Sequence, residues 1–449
     1  MTTDPRNAIQ RAPMARLQVA IVALCIALNA LDGFDVLAIS FAAPGIAAQW
    51  GIDRATLGVV LSMELLGMAL GSVLIGHLAD RIGRRPVILG CLAAMTLGMF
   101  LAAFARDLAT LSATRLFTGL GIGGMLSSTS AMVAEFSSDR RRNLNVVLNI
   151  AGYSAGAVVG GLVAALLLER TGDWRSVFLL GGAATAALLP LAFALLPESI
   201  ESQIARRPRG ALEGVNRTLR RLGLAPVEAL PPAEANAPRP SFAALFSPGY
   251  AGPTILLTIA YFAQIMAFYF IQKWTPKLLV DMGFAAAEAA RVLVFVNVGC
   301  VIGAVAVGLA SQRMRLQPLV VGAMALSFAS IASYGLLPRD LAWFSAVAVL
   351  AGFFTNASVV GLYPVLVRTF PALLRAGGTG FVIGVGRGGS VVGPIAAGGL
   401  LAGGSALLVV STAMGAGALV AAAMLVLLGR VQAGRSGDDA NAVAGTARQ

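Results

Sequence analysis

Twelve apolar runs dominate the chain, each roughly 20 residues long, the length an α-helix needs to cross the hydrocarbon core of a bilayer. They lie near 17–42, 54–79, 86–105, 108–135, 144–168, 175–197, 250–272, 289–310, 318–337, 341–367, 377–401 and 405–429. Lipid offers no partner to a backbone N–H or C=O, so runs of this kind fold as helices. The expected fold class is therefore an all-α membrane protein with twelve transmembrane helices. Of the 449 residues only 12% are charged, against about 25% in a soluble domain. The start is basic (Arg6, Arg11, Arg16) and then apolar, like a secretory leader. The run is too long, contains acids and lacks a small-residue cleavage site, so it reads as a retained first span. Cys25, Cys91 and Cys300 all fall in apolar runs and are expected as free buried thiols.

One long polar interruption, 198–248, is rich in Arg and Pro (Arg206, Arg207, Arg209, Pro231, Pro232, Pro238, Pro240). It separates a six-span half at 17–197 from another at 249–429, with tails at 1–16 and 430–449. Of the 33 Lys and Arg, 23 fall on the side of the N-terminus and 8 in the opposite loops. That bias predicts both termini and the linker in the cytoplasm of a cell whose inner (plasma) membrane holds the chain. The net charge of +12 is thus a matter of topology, and nucleic acid is not an expected partner.

The halves repeat each other. Gly76-His-Leu-Ala-Asp80-Arg81 before Pro86 pairs with Gly308-Leu-Ala-Ser-Gln312-Arg313 before Pro318, an offset of 232. Asp107-Leu-Ala pairs with Asp340-Leu-Ala, and Gly156-x-Val-Val-Gly160 with Gly389-x-Val-Val-Gly393, each at 233. Six spans is an even number, so both halves insert the same way up. Parallel repeats of this kind place a binding site near the midplane and alternate its access.

Charge inside a span is expensive and marks function. Asp32 and Asp35 lie three residues apart in the first span, one helical turn from Asn29. They read as proton carriers, or else as a polar break that caps the helix. Glu64 joins them as a third ionisable group of the proton-coupling relay, or else pairs with Arg115 or a backbone group; Arg115 serves the proton step or a structural network of the first half, or else contacts substrate. Arg387 sits in a glycine-rich span with no acid adjacent in sequence. A guanidinium binds a carboxylate bidentately, so Arg387 is the candidate anchor of an anionic substrate, unless an intramembrane acid holds it at rest. Lys273 is expected either to help bind an anion or to snorkel to the interface. Phe34, Tyr261, Tyr269 and Tyr363, with Phe262 and Phe270, could flank an aromatic ring or simply pack. His77, the only histidine, reads as structural.

Residues 76–86, Gly-His-Leu-Ala-Asp-Arg-Ile-Gly-Arg-Arg-Pro, resemble the loop 2–3 signature of the major facilitator superfamily, Gly-x-x-x-Asp-Arg-x-Gly-Arg-Arg. The resemblance implies a conformational latch of Gly76, Asp80, Arg81, Gly83, Arg84 and Arg85, in which Asp80 pairs with an Arg or a helix N-terminus. The second copy has Gln312 where Asp80 stands, which implies a weak or missing second latch. Arg115-x-x-x-Gly119-x-Gly121-x-Gly123, Glu135 before Arg140-Arg141-Arg142, and Pro197-Glu198-Ser199 resemble other landmarks of that superfamily, and Glu135 joins the latch. Asp32-Gly-Phe-Asp35, Leu362-Tyr-Pro364 with Arg368, and Gly384-Val-Gly-Arg387-Gly-Gly389 with Pro394 are similar to signatures of its aromatic acid:proton symporters. Lys273 and Lys277 in the seventh span, and Glu64, depart from that pattern.

The resemblance implies import of an aromatic or related organic carboxylate with protons, driven by the proton gradient, with no cofactor or metal. One chain holds both halves, so a monomer is expected. With one peripheral histidine and no nucleotide motif, an enzyme is not expected. A proton-driven exporter of the same fold is the alternative, and a transporter-like receptor a second one.

Overall fold

A computed structural model describes residues 4–231 and 242–446. The linker prolines Pro232, Pro238 and Pro240 lie outside the described residues. All twelve expected spans are helices: α1 Arg16–Trp50, α2 Arg54–Ile82, α3 Arg84–Ala103, α4 Leu108–Glu135, α5 Asp139–Thr171, α6 Arg175–Leu195, α7 Ala251–Asp281, α8 Ala286–Ala310, α9 Leu316–Leu336, α10 Leu341–Thr369, α11 Gly377–Ala402 and α12 Leu407–Gln432. No strand occurs among the described residues. Among the described residues three short α-helices are added, Pro5–Arg11 before α1 and Ile200–Arg206 and Ala211–Arg221 in the linker, with a 3-10 turn at Phe242–Phe246. Cys25, Cys91 and Cys300 are buried free thiols.

Helix ends follow local chemistry. Asp53 accepts the N–H of Thr56 at 2.8 Å to start α2, Asp107 that of Thr110 at 2.8 Å to start α4, and Asp340 that of Ala342 at 2.8 Å to start α10. The Thr56 side chain and N–H hold Asp53 below its usual carboxylate range, and the Thr110 N–H and hydroxyl do the same for Asp107. A carboxylate lowered on folding stabilises above its unfolded value, and that support disappears as pH falls through the lowered one. Both caps are therefore in place at neutral pH. Gly51 closes α1 at φ 60°, a left-handed geometry that a side chain would strain.

Packing divides the chain into two compact units: Met1–Ala237 with Pro276–Val294, and Pro238–Thr275 with Phe295–Gln449. The first holds α1–α6, the linker helices, and the ends of α7 and α8 that flank their connecting turn. Arg54–Asp281 at 3.0 Å, Lys277–Asp281 and Arg291–Glu169 are ion pairs of that unit. The second holds the rest of α7 and α8, with α9–α12.

The sequence repeat is also a repeat of packing. A Cβ added to Gly156 of α5 would overlap the carbonyl of Ala30 in α1, and one added to Gly389 of α11 would overlap that of Phe262 in α7. Likewise Gly119 of α4 abuts the Glu64 carbonyl of α2, and Gly352 of α10 abuts the Val296 carbonyl of α8. Backbones that meet this closely need small residues at the contact. Pro44 in α1 and Pro276 in α7 also correspond, at an offset of 232. The two halves use one helix-pairing plan, which fixes residue-by-residue correspondence inside their cores.

Candidate functional site

In the first unit the polar core forms where α1 crosses its neighbours. Asn29 is 1% exposed and its side-chain amide donates to the Asn149 carbonyl of α5. At Gly33 α1 meets the Tyr153 carbonyl of α5, with no room for a side chain. Asp32 and Asp35 are both 0% exposed, and none of their four carboxylate oxygens has a hydrogen-bond partner among the described residues. Burying an unpartnered carboxylate as an anion carries a heavy desolvation cost.

Arg115 of α4, also 0% exposed, reaches into this core. Its Nη2 pairs with Glu64 of α2 and donates to the Asp35 backbone carbonyl at 2.9 Å. Nη1 lies 3.0 Å from Met99 Sδ, and the guanidinium carbon sits 5.3 Å from the Phe178 ring centroid. The guanidinium therefore touches α1, α2, α3 and α6 at once without bonding the Asp35 carboxylate. Phe34 is 3% exposed, with its ring on Gly160 and Gly181. That is a packing contact inside the first unit.

A second cluster gathers where α2 meets α3. Glu198 Oε1 accepts the N–H of Arg84 at 2.9 Å and of Arg85 at 3.4 Å, a carboxylate at the start of α3 where free N–H groups favour an anion. Arg84 Nη1 pairs with Glu135 at 3.2 Å, and Glu135 also accepts the Ser199 hydroxyl at 2.6 Å and the Glu201 N–H at 3.0 Å. Arg85 donates to the carbonyls of Leu196 and Phe193 at 2.7 and 2.8 Å. Gly83, at φ 107°, lies against the Glu198 carboxylate. Asp80 and Arg81 are exposed, and Gly76 meets only Ser127 Oγ, at 4.0 Å from an added Cβ. No pairing of Asp80 with an Arg or a helix N-terminus occurs among the described residues; Glu135 holds the Arg84 guanidinium and Glu198 the N–H groups that start α3, because the chain after α6 folds back there. His77 is exposed and its Nδ1 lies 2.6 Å from the Val73 carbonyl.

In the second unit α7 presents Tyr261, Tyr269 and Lys273 at spacings of two turns and one. Tyr261 is buried against Gly386, with its hydroxyl 3.3 Å from that of Tyr363 and the two rings edge to face at 6.3 Å. Beside them, α11 is interrupted at Arg387, between helices Ala372–Gly386 and Gly388–Ala402. The Arg387 carbonyl accepts the Ser390 N–H at 2.9 Å and its hydroxyl at 2.6 Å, so the helix tightens there to a three-residue turn. Arg387 is half-buried and no carboxylate pairs with it among the described residues. Tyr269 is half-buried beside Phe268. Lys273 is 0% exposed and does not snorkel. Its turn of α7 is seated inward on both sides: Gln272 exchanges hydrogen bonds with Asn297 at 3.1 and 3.2 Å, and the Trp274 indole donates to the Pro394 carbonyl at 3.1 Å. Among the described residues no group of three or more His, Cys, Asp or Glu is placed to hold a metal.

The family model described as "Major Facilitator Superfamily" matches residues 24–339. The chain belongs to the major facilitator superfamily. Among its relatives, a gallate transporter of Pseudomonas putida is 31% identical, over 96% of each chain. A 4-hydroxybenzoate transporter, PcaK, of the same organism is 31% identical, over 87% of this chain and 88% of the relative. A 3-(3-hydroxy-phenyl)propionate transporter of Escherichia coli is 30% identical, over 91% and 94%. Among solved structures, that of a D-xylose-proton symporter shares the fold at a TM-score of 0.70 and 17% identity, covering 90% of this chain and 97% of that one. The chain is thus a multi-pass membrane transporter of that superfamily rather than an enzyme.

Within this superfamily member, the structure gathers Asp35, Glu64 and Arg115 into one contact set, with Asp32 a turn away, and pairs Tyr261 with Tyr363 beside the turn of α11 that carries Arg387. Glu198 was not singled out from the sequence as a latch residue, although Pro197-Glu198-Ser199 was a visible landmark. Gln264 was missed as well. It is 0% exposed, donates to the Thr355 carbonyl at 3.3 Å and stands at the position that Asp32 occupies in the first half. The offset of 232 would have pointed to it.

Proposed function

We propose that the chain imports a small aromatic carboxylate together with protons, by alternating access, across the inner membrane with both termini in the cytoplasm. The observation that carries this reading is the buried Asp32–Asp35 pair, whose oxygens have no hydrogen-bond donor among the described residues. Binding a proton removes the desolvation cost of a buried anion, so this position suits a site that loads and unloads protons. Arg387 supports the substrate half of the reading. It offers a fork matched to a carboxylate, next to the Tyr261–Tyr363 pair, whose rings and hydroxyls suit a hydroxylated aromatic ring. The relatives are named for gallate, 4-hydroxybenzoate and hydroxyphenylpropionate, which favours a hydroxylated aromatic acid here.

In this mechanism each half is neutralised in its own interior. Protons cancel the Asp32 and Asp35 charges in the first, and the substrate carboxylate cancels Arg387 in the second. The loaded carrier then moves without exposing an uncompensated charge to lipid. The proton gradient is the energy source, no cofactor takes part, and one chain is the transport unit.

The test is uptake of labelled hydroxybenzoates and related mono- and dicarboxylates into proteoliposomes, with and without an inward proton gradient. Accumulation above the external level only with the gradient supports the reading. Gradient-driven extrusion would replace it with export, and binding without any transport would replace it with a sensing role.

A further inference from the structure

The repeat shows what this fold uses at each buried charge when it carries no charge there. Asp35 corresponds to Ala267, Glu64 to Val296 and Arg115 to Ala348, at offsets of 232, 232 and 233. All six residues are 0% exposed. The helix contacts around them are the same: Gly119 abuts the Glu64 carbonyl as Gly352 abuts the Val296 carbonyl. Close packing of α2 on α4 therefore needs no charge. A buried ion pair in place of packed apolar residues seldom adds stability. Three buried charges appear together in the first half, and all three are absent from the second, so their role lies in what they do to one another.

Their arrangement is specific. Arg115 Nη2 is committed to Glu64 and to the Asp35 carbonyl, and Arg115 Nε has no hydrogen-bond partner among the described residues. The charged and titratable groups facing Asp35 are Asp32 from α1, Glu64 from α2 and Arg115 from α4. From α3 and α6 come Met99, Gly181 and Phe178. Without Glu64 the whole charge of Arg115 would face Asp35.

We propose that Glu64 is a positioning residue of the proton step: it shares the Arg115 guanidinium and thereby sets the pH at which Asp35 takes up and gives back its proton. This rests on the proton-coupled reading above. When the Asp35 O–H breaks, the proton leaves to water and the new carboxylate accepts from Arg115 Nε, while Nη2 stays on Glu64. Reprotonation on the other side reverses the exchange.

The experiment is the pH profile of uptake in proteoliposomes for wild type, Glu64→Gln, Glu64→Asp and the pair Glu64→Val with Arg115→Ala, which copies the second half and so keeps a packing the fold already uses. Glu64→Gln is expected to move the pH of half-maximal uptake about one unit or more towards acid, the size of effect an undivided opposite charge has on a nearby carboxylate. Glu64→Asp keeps the wild-type profile, and the double variant undoes the acid shift. Where uptake is too slow to follow, the protonated-carboxyl infrared band that Asp35→Asn removes is titrated in purified protein instead. A wild-type profile in Glu64→Gln with only a lower rate would overturn the proposal, as would an acid shift that persists in the double variant. Uptake by the wild type with no dependence on the proton gradient would sink the proton-coupled reading itself, which is a different result.

Discussion

Arg387 carries the sharpest expectation for a single side chain. A charge-assisted hydrogen-bond contact is worth about 1.5–3 kcal/mol, so Arg387→Ala should raise KM by about 10- to 150-fold. Arg387→Lys should recover only part of this, because an ammonium keeps the charge and loses the fork. Concentration-dependent uptake in proteoliposomes measures both, and an unchanged KM in Arg387→Ala would remove Arg387 from the site. At this scale the sequence was informative for charges and poor for aromatics. Asp32, Asp35, Glu64, Arg115 and Arg387 stand out because charge in a span is costly. Phe34 did not reveal that it packs on Gly160 and Gly181, since an aromatic residue suits both an open face and a filled core. Asp80 matched a motif, yet it is exposed, while Glu135 holds the Arg84 guanidinium and Glu198 accepts the Arg84 N–H.

Helix pairing decides a second class of outcomes. Gly156 and Gly389 sit where one helix backbone touches another, whereas a Cβ at Gly90 of α3 or Gly322 of α9 would meet nothing within 4 Å. Gly156→Ala and Gly389→Ala must therefore push α1 from α5 and α7 from α11, and should lower the thermal unfolding midpoint of the purified protein by several degrees or prevent folding. Gly90→Ala and Gly322→Ala should be neutral or raise it, because alanine gains about 0.5–1 kcal/mol over glycine in a helix interior. Equal effects at the four sites would mean that the close contacts do not govern assembly. Glu198 is the corresponding test at a helix end. Glu198→Gln keeps an acceptor for the Arg84 and Arg85 N–H groups and should be milder, in melting and in uptake rate, than Glu198→Ala. The spans were legible because hydropathy alone sets them; their ends were not. The first was expected to stop near residue 42 but runs through Pro44 to Trp50, with Gly45 against the Trp174 side chain. The matching Pro276 in α7 indicates that both halves accommodate this proline. The interruption of α11 at Arg387 has no signal beyond its glycines.

Across the whole chain the two halves share a packing plan and differ in chemistry. The first buries acids and Arg115; the second buries Tyr261, Gln264 and Lys273, with Arg387 half-buried in α11. The glycine motifs showed the repeat, but the departures from it became readable only when packing fixed which core positions correspond. This division predicts two separable kinds of defect. Asp32→Asn and Asp35→Asn remove a titratable group from the first half and leave Arg387 and its tyrosines untouched. They should abolish gradient-driven accumulation while retaining substrate exchange between equal pools on the two sides of the membrane, with KM within about threefold of wild type, since no charge-assisted contact worth about 1.5–3 kcal/mol is lost from the substrate. Arg387→Ala should depress exchange and accumulation together, and leave the pH dependence of the remaining flux unchanged. Measuring exchange and gradient-driven uptake side by side on the same vesicle preparations distinguishes the two kinds. If Asp35→Asn lost substrate exchange as completely as Arg387→Ala, protons and substrate would share one site, and the segregation of chemistry by half would have no functional counterpart.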